Sequence, residues 1–158
     1  MTEEIPIEFW QGIEQFNSQD FYACHDTLEA LWMEAGDPEK RFYQGILQIA
    51  VALYHLGNQN WRGAVILLGE GINRLSYYQP IYAGIAVEEL LGESAKLLSA
   101  LQQAGPEKVA EFVPLLTGTE FADLQLPRII IYNPLDRSSR SSPVQQKVHQ
   151  NISLSGEQ

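Results

Sequence analysis

A helix that is apolar around most of its circumference can only sit in the middle of a bundle, and this chain contains one. Phe42, Tyr43, Ile46, Ile49, Ala50, Leu53 and Tyr54 recur at three- and four-residue spacing and clothe most of a helix running from Glu39 to Leu56. One strip is left over, made of Arg41, Gln44, Gln48, Ala52 and His55. Its plain reading is a solvent face. Against that, it carries amides, Gly45 and Ala52 where solvated faces usually carry Lys and Glu, which predicts contact with a neighbour.

The flanking sequence supplies the neighbours. Pro6 opens a short helix whose Ile7, Trp10, Ile13 and Phe16 share a face up to about Asn17. Ser18 or Asp20 can cap a second helix, which runs to about Ala35 and stops at Gly36. Asp37 caps the third, with Pro38 in its first turn. Asn60 can cap a fourth carrying Trp61, Ala64, Val65, Leu68, Ile72 and Leu75, in which Gly63, Gly69 and Gly71 predict close backbone packing. After a loop ending near Gly84 comes a fifth helix through Leu101, stopped by Gly105-Pro106, and then a short sixth from Glu107 to Leu116. The expected fold is an all-α single-domain bundle of five to six helices over residues 1–117 with a central antiparallel pair. Residues 118–135 should form an extended segment packed on it, because Ile129-Ile130-Ile131-Tyr132 has strand propensity and no evident ladder partner. Residues 136–158, poor in large apolar groups, read as a disordered tail.

Charge narrows the partners. Of 20 acidic residues, 18 fall in residues 1–135 against 7 Lys and Arg there, within a chain of net charge −10. Such a body repels phosphate backbones, so nucleic acid and anionic membranes are poor partners. The opening Met1-Thr2-Glu3-Glu4 is acidic where a signal peptide is basic, and no apolar run approaches the roughly 20 residues that span a bilayer. A soluble cytoplasmic protein is expected. The single Cys24, on an inward face, reads as a small buried hydrophobe.

Chemistry concentrates in Phe21 to Trp32, FYACHDTLEALW. At about 100° per residue, His25 and Trp32 fall about 20° apart and Glu29 about 40° from His25, at the margin of the apolar stripe of Cys24, Leu28 and Leu31. His25 and Glu29, four residues apart, can touch. The tight Gly36-Asp37-Pro38 connection makes helices two and three antiparallel, which sets Glu29 level with Gln44, His25 with Gln48 and Trp32 with Arg41. A polar seam of His25, Glu29, Gln44 and Gln48 is therefore expected, with Arg41 reaching Glu29 or stacking on Trp32.

Three stretches resemble a known group of small helical bacterial and archaeal proteins, the domain of unknown function 309 family. They are Phe16–Trp32, Phe42–Leu56 and Gly57–Leu68. The family pattern of HE, then E and W, matches His25, Glu29 and Trp32, with Asp26 where the family usually has Glu. Its GxxQ matches Gly45 and Gln48, and its GN/GA pair matches Gly57-Asn58 and Gly63-Ala64. The resemblance implies an all-helical bundle and a location for the site. It implies no reaction.

Several functions suit these residues. The seam is either an inert structural network or a small polar ligand site built from His25, Glu29, Trp32, Arg41, Gln44 and Gln48. The alternatives are a divalent metal held by His25 and Glu29 with Asp26 or His55, and acid–base catalysis in which Glu29 orients His25. No nucleophile stands beside His25, and a homo-oligomer is compatible with the sequence. No cofactor is required by it.

Overall fold

The computed structural model describes residues 5–121 and 123–132 of the chain. Five α-helices follow one another as α1 (Ile7–Asn17), α2 (Phe21–Glu34), α3 (Glu39–Gly57), α4 (Trp61–Leu75) and α5 (Val87–Ala104). The Asp20 side chain accepts a hydrogen bond from the Ala23 N–H at 3.4 Å, and Asn60 accepts one from the Gly63 N–H at 3.0 Å. Both caps stand where the sequence puts them, because each satisfies an N–H orphaned by the first helical turn. Asp37 does not cap α3. Its carboxylate pairs instead with Arg41, at 3.5 Å.

As its clothing demands, α3 is the centre. Phe42, Ile46, Ile49 and Leu53 are all buried, and Phe42 and Tyr43 pack their rings on Phe9 of α1 at centroid distances of 5.9 and 5.8 Å. The leftover strip is no solvent face. Glycines bring α4 hard against it: a Cβ on Gly71 would lie 3.0 Å from the Gly45 carbonyl oxygen and 2.7 Å from Ile49 Cγ1. Gly45 in turn faces Leu75, and Gly63 lies under the His55 ring. The strip lacks Lys and Glu because another helix covers it, and that helix is α4 rather than α2.

Between α4 and α5 lies a hairpin that helical periodicity alone does not show. Strands β1 (Ile81–Tyr82) and β2 (Ile85–Ala86) pair antiparallel across Ala83-Gly84, whose φ values of 50° and 78° are both positive. Two successive positive values are what a two-residue turn needs to match the twist of its strands. The late segment then finds the partner the sequence could not supply. The Ala86 N–H donates to the Ile130 carbonyl, and the Tyr132 N–H to the Gly84 carbonyl, each at 2.8 Å. Residues 129–132 thus pair along the hairpin instead of merely resting on the helices.

Asn17 fastens this segment from the other side. Its Nδ2 donates to the Ile129 carbonyl at 2.8 Å, and its Oδ1 accepts from the Ile129 N–H at 2.9 Å. Replacing Asn17 with Ala removes both bonds and leaves the part-buried Ile129 backbone unpaired, which should cost about 1–3 kcal/mol of unfolding free energy in urea denaturation. A loss below a few tenths would mean that water replaces the amide without penalty.

The sixth helix differs in kind from the expectation. Pro106–Thr117 is a 3-10 helix with Pro114 inside it, not an α-helix from Glu107 to Leu116. A proline there has no N–H to donate and its ring crowds the carbonyl four residues back, so the tighter three-residue winding is preferred. Val109, Phe112 and Leu115 are buried at intervals of three, as one stripe of such a helix must be. The tail expected over 136–158, and the end of the extended segment at 133–135, lie outside the described residues. Among the described residues no helix is long and apolar enough to cross a membrane.

Candidate functional site

The outer face of α2 brings three ionisable groups together. The His25 Nδ1 and Asp26 Oδ1 atoms are 3.1 Å apart, and one donor atom each from His25, Asp26 and Glu29 lie within 4.8 Å of one another. Asp26 and Glu29 are exposed and His25 is half-buried. The expected partner of His25 was Glu29, one turn on. In the structure its hydrogen-bond partner is the adjacent Asp26, whose side chain bends back across the 100° that separates the two Cβ directions. An exposed carboxylate near an imidazole is free to make that swing.

The seam between α2 and α3 does not form. Gln48 is buried and turns to α4: its Nε2 donates to Glu70 Oε1 at 3.2 Å, and its Oε1 accepts from Arg74 Nε at 3.1 Å. Gln44 is half-buried on the same strip. The levels were right and the azimuth wrong. The antiparallel order holds, since Tyr22 near the start of α2 meets Tyr54 near the end of α3 at 5.8 Å, but neither residue belongs to the strip.

Trp32 shows the same one-residue rotation. Lys40, not Arg41, lies over its ring, with Nζ 4.2 Å from the centroid and 2.7 Å from the Trp32 carbonyl oxygen, to which it donates. Arg41 is held by Asp37 at the surface. His55 stands apart from the triplet; Asn60 Nδ2 donates to its Nδ1 at 3.3 Å, which leaves the imidazole N–H on Nε2. Sequence reasoning missed Lys40, Glu70 and Arg74. Gly71, next to Glu70, was the signal that α4 approaches the Gln48 strip closely.

Cys24 and Tyr82 have displaced titrations. Burial, and then the charge of Asp20, pushes the Cys24 thiol up to about 12, which favours its protonated form at neutral pH. Burial, and then Glu39, pushes the Tyr82 phenol up to about 12 as well; its hydroxyl donates to Glu39 Oε2 at 3.3 Å. Two surface clefts lie elsewhere. One is lined by Gln19, Leu115, Gln125 and Arg128 among others, the other by Glu89, Glu93, Gln125, Arg128 and Ile130, and neither includes a residue of the expected site.

Residues 9–67, and with them the whole α2 face and the Gln48 strip, match the family described as a domain of unknown function, DUF309. The match covers α1 to the first turns of α4. The chain is also similar to an uncharacterised protein, YpuF, of Bacillus subtilis (strain 168), being 37% identical over 93 residues. That alignment takes in 57% of this chain and 49% of the relative, so the chain spans about half the length of the curated relative it matches. No solved structure matches. The DUF309 segment contains the entire His25, Asp26 and Glu29 triplet, whereas Glu70 and Arg74, which hold Gln48, fall outside it.

Proposed function

We propose that this chain is a divalent-cation-binding helical protein whose ion is held on α2 by His25, Asp26 and Glu29. The observation that carries the reading is the convergence of an imidazole nitrogen and two carboxylate oxygens to within 4.8 Å on one helix face. With metal–ligand bonds of about 2.0–2.2 Å, ligands around a first-row cation stand roughly 3 Å apart, a spacing the His25 and Asp26 pair already has. Glu29 is exposed and has the rotamers to close the remaining gap.

One nitrogen and two oxygens suit zinc, manganese or iron better than magnesium or calcium, which prefer oxygen alone. Three protein ligands leave coordination positions open to water or to another donor. The other readings are less well supported. A small polar ligand needs the seam, and Gln48 is turned to α4. Acid–base catalysis by His25 with Glu29 needs a contact that Asp26 has taken. The acidic charge favours a cation over a nucleic acid, and a single free cysteine is in keeping with a reducing compartment.

Protein purified without a tag, stripped with chelator and dialysed against manganese or zinc should retain close to a stoichiometric amount by mass spectrometry of the metal. His25→Ala should lose it, and His55→Ala should keep it because His55 is not among the converging groups. Uptake that is equal in the wild type and in His25→Ala would refute the site.

A further inference from the structure

The cleft beside α5 is lined by opposite charges that come from two different elements. Its volume is about 340 Å³, with Glu89 and Glu93 of α5 on one side and Gln125, Arg128 and Ile130 of the late segment on the other. Glu89 and Glu93 stand one turn apart on the helix, and both are half-buried. Arg128 is exposed, and among the described residues it forms no ion pair, although two carboxylates line the same cleft. The charges are held apart, and the space between them is the cleft.

Both sides are fixed. Asn17 pairs with the N–H and the carbonyl of Ile129, directly after Arg128, and the Ile130 carbonyl accepts from the Ala86 N–H at 2.8 Å. Opposite them, Glu93 is oriented by Gln125, whose Nε2 donates to its Oε2 at 2.8 Å. Charged groups anchored in this way, yet too far apart to pair, suit a molecule that carries the complementary charges, because little ordering remains to be done when it binds.

We infer that this cleft binds a free basic amino acid, of which lysine is the simplest. Charge selects the class: two carboxylates against one guanidinium leave one negative charge over, and a zwitterion with one additional ammonium neutralises all three. The ligand carboxylate meets the fork of Arg128, which matches a carboxylate in two parallel hydrogen bonds. One ammonium meets Glu93, and the other is held by the negative charge of Glu89 one turn away, which relieves the repulsion between like charges at that spacing. The methylene stem lies on Ile130, which is 41% exposed. The volume falls at the low end of the roughly 300–1,000 Å³ of small-molecule sites, as a ligand of amino-acid size requires. This cleft shares no residue with the α2 triplet, and the inference does not rest on the cation site.

The test is titration of the isotope-labelled full chain with lysine, norleucine and cadaverine at constant ionic strength, followed by the chemical shifts of its backbone amides. Norleucine keeps the zwitterion and the stem but lacks the side-chain ammonium, and cadaverine lacks the carboxylate. The expected result is saturable shifts at Glu93, Gln125, Arg128 and Ile130 with lysine, and binding weaker by about tenfold or more for each of the other two, as the loss of one charge-assisted contact implies. Arg128→Gln, at an exposed position, should bring lysine down to the affinity of cadaverine and leave cadaverine unchanged. Glu93→Gln should weaken lysine and cadaverine alike. Shifts that fail to saturate, equal binding of lysine and norleucine, or an Arg128→Gln protein that titrates with lysine as the wild type does would each overturn the inference.

Discussion

Replacing Phe42 with Ala should lower the unfolding free energy by about 3–5 kcal/mol, enough to consume a large part of the 5–15 kcal/mol that typically holds a domain of this size. Phe42 is fully buried, and its ring is the point where the bundle and the hairpin meet. It contacts Phe9 of α1 and Tyr43 beside it, and it packs against Tyr78 and Tyr82 at 5.2 and 4.7 Å. Truncation leaves a cavity whose walls belong to three different elements, and these cannot all move inward together. Urea or thermal denaturation followed by circular dichroism measures the loss. A cost near 1 kcal/mol would mean that the tyrosines collapse into the space, and that the hairpin is more loosely attached than the ring contacts indicate.

Gly71→Ala should be costly for the opposite reason. One added methyl would stand 3.0 Å from a backbone oxygen of α3 and 3.2 Å from the Ile49 nitrogen, and neither can rotate away. The helices must separate, which exposes or loosens Leu75, Leu68 and Ile49, and overpacking of this kind typically costs about 1–3 kcal/mol, occasionally more. Gly92 is the control. Nothing lies within 4 Å of a Cβ built there in the middle of α5, so Gly92→Ala should stabilise by roughly 0.5–1 kcal/mol through helix propensity alone. Opposite signs for the same chemical change, read as shifts in midpoint at unchanged denaturant slope, would establish that contact and not propensity rules the α3 and α4 face. Equal signs would reject that account.

What the sequence made legible was the part decided by short-range patterns. Apolar spacing, capping residues and breakers located α1 through α5, and the crowding of apolar residues on α3 put it in the middle. In the strip of Arg41, Gln44, Gln48, Ala52 and His55 the scarcity of Lys and Glu pointed to a neighbour, and at Gln48 that neighbour is α4, while Arg41 stays at the surface. Which neighbour was not decided by that pattern, because two helices flank α3 and a helical wheel has no third dimension. The choice went to α4 because Gly63 and Gly71 let its backbone come closer than the larger side chains of α2 allow. The hairpin at Ile81–Ala86 was illegible for a different reason. Two-residue strands have no period to detect, and their stability comes from Ile130 and Tyr132, some 45 residues away.

The candidate site was legible in its members more than in its contacts. His25 and Glu29 do lie on one face, and Asp26 joins them by a side-chain swing that Cβ directions do not reveal. Lys40 took the place assigned to Arg41 because the α2–α3 turn enters α3 about one residue out of phase with a simple antiparallel ladder. The error is small along the axis and 100° around it, which is why the levels survived and the partners changed.

The clasp between Asn17 and Ile129 joins residues 112 apart in the chain, whereas the contacts that build the helical body are mostly between elements adjacent in sequence. Closing so long a loop is costly in entropy and is rewarded only once α1, the hairpin and α5 are already in place. The clasp therefore belongs to the late side of the folding barrier. It governs how long the folded state lasts far more than how fast it is reached, and loosening it shortens the lifetime of the finished molecule while the helices assemble at their accustomed speed.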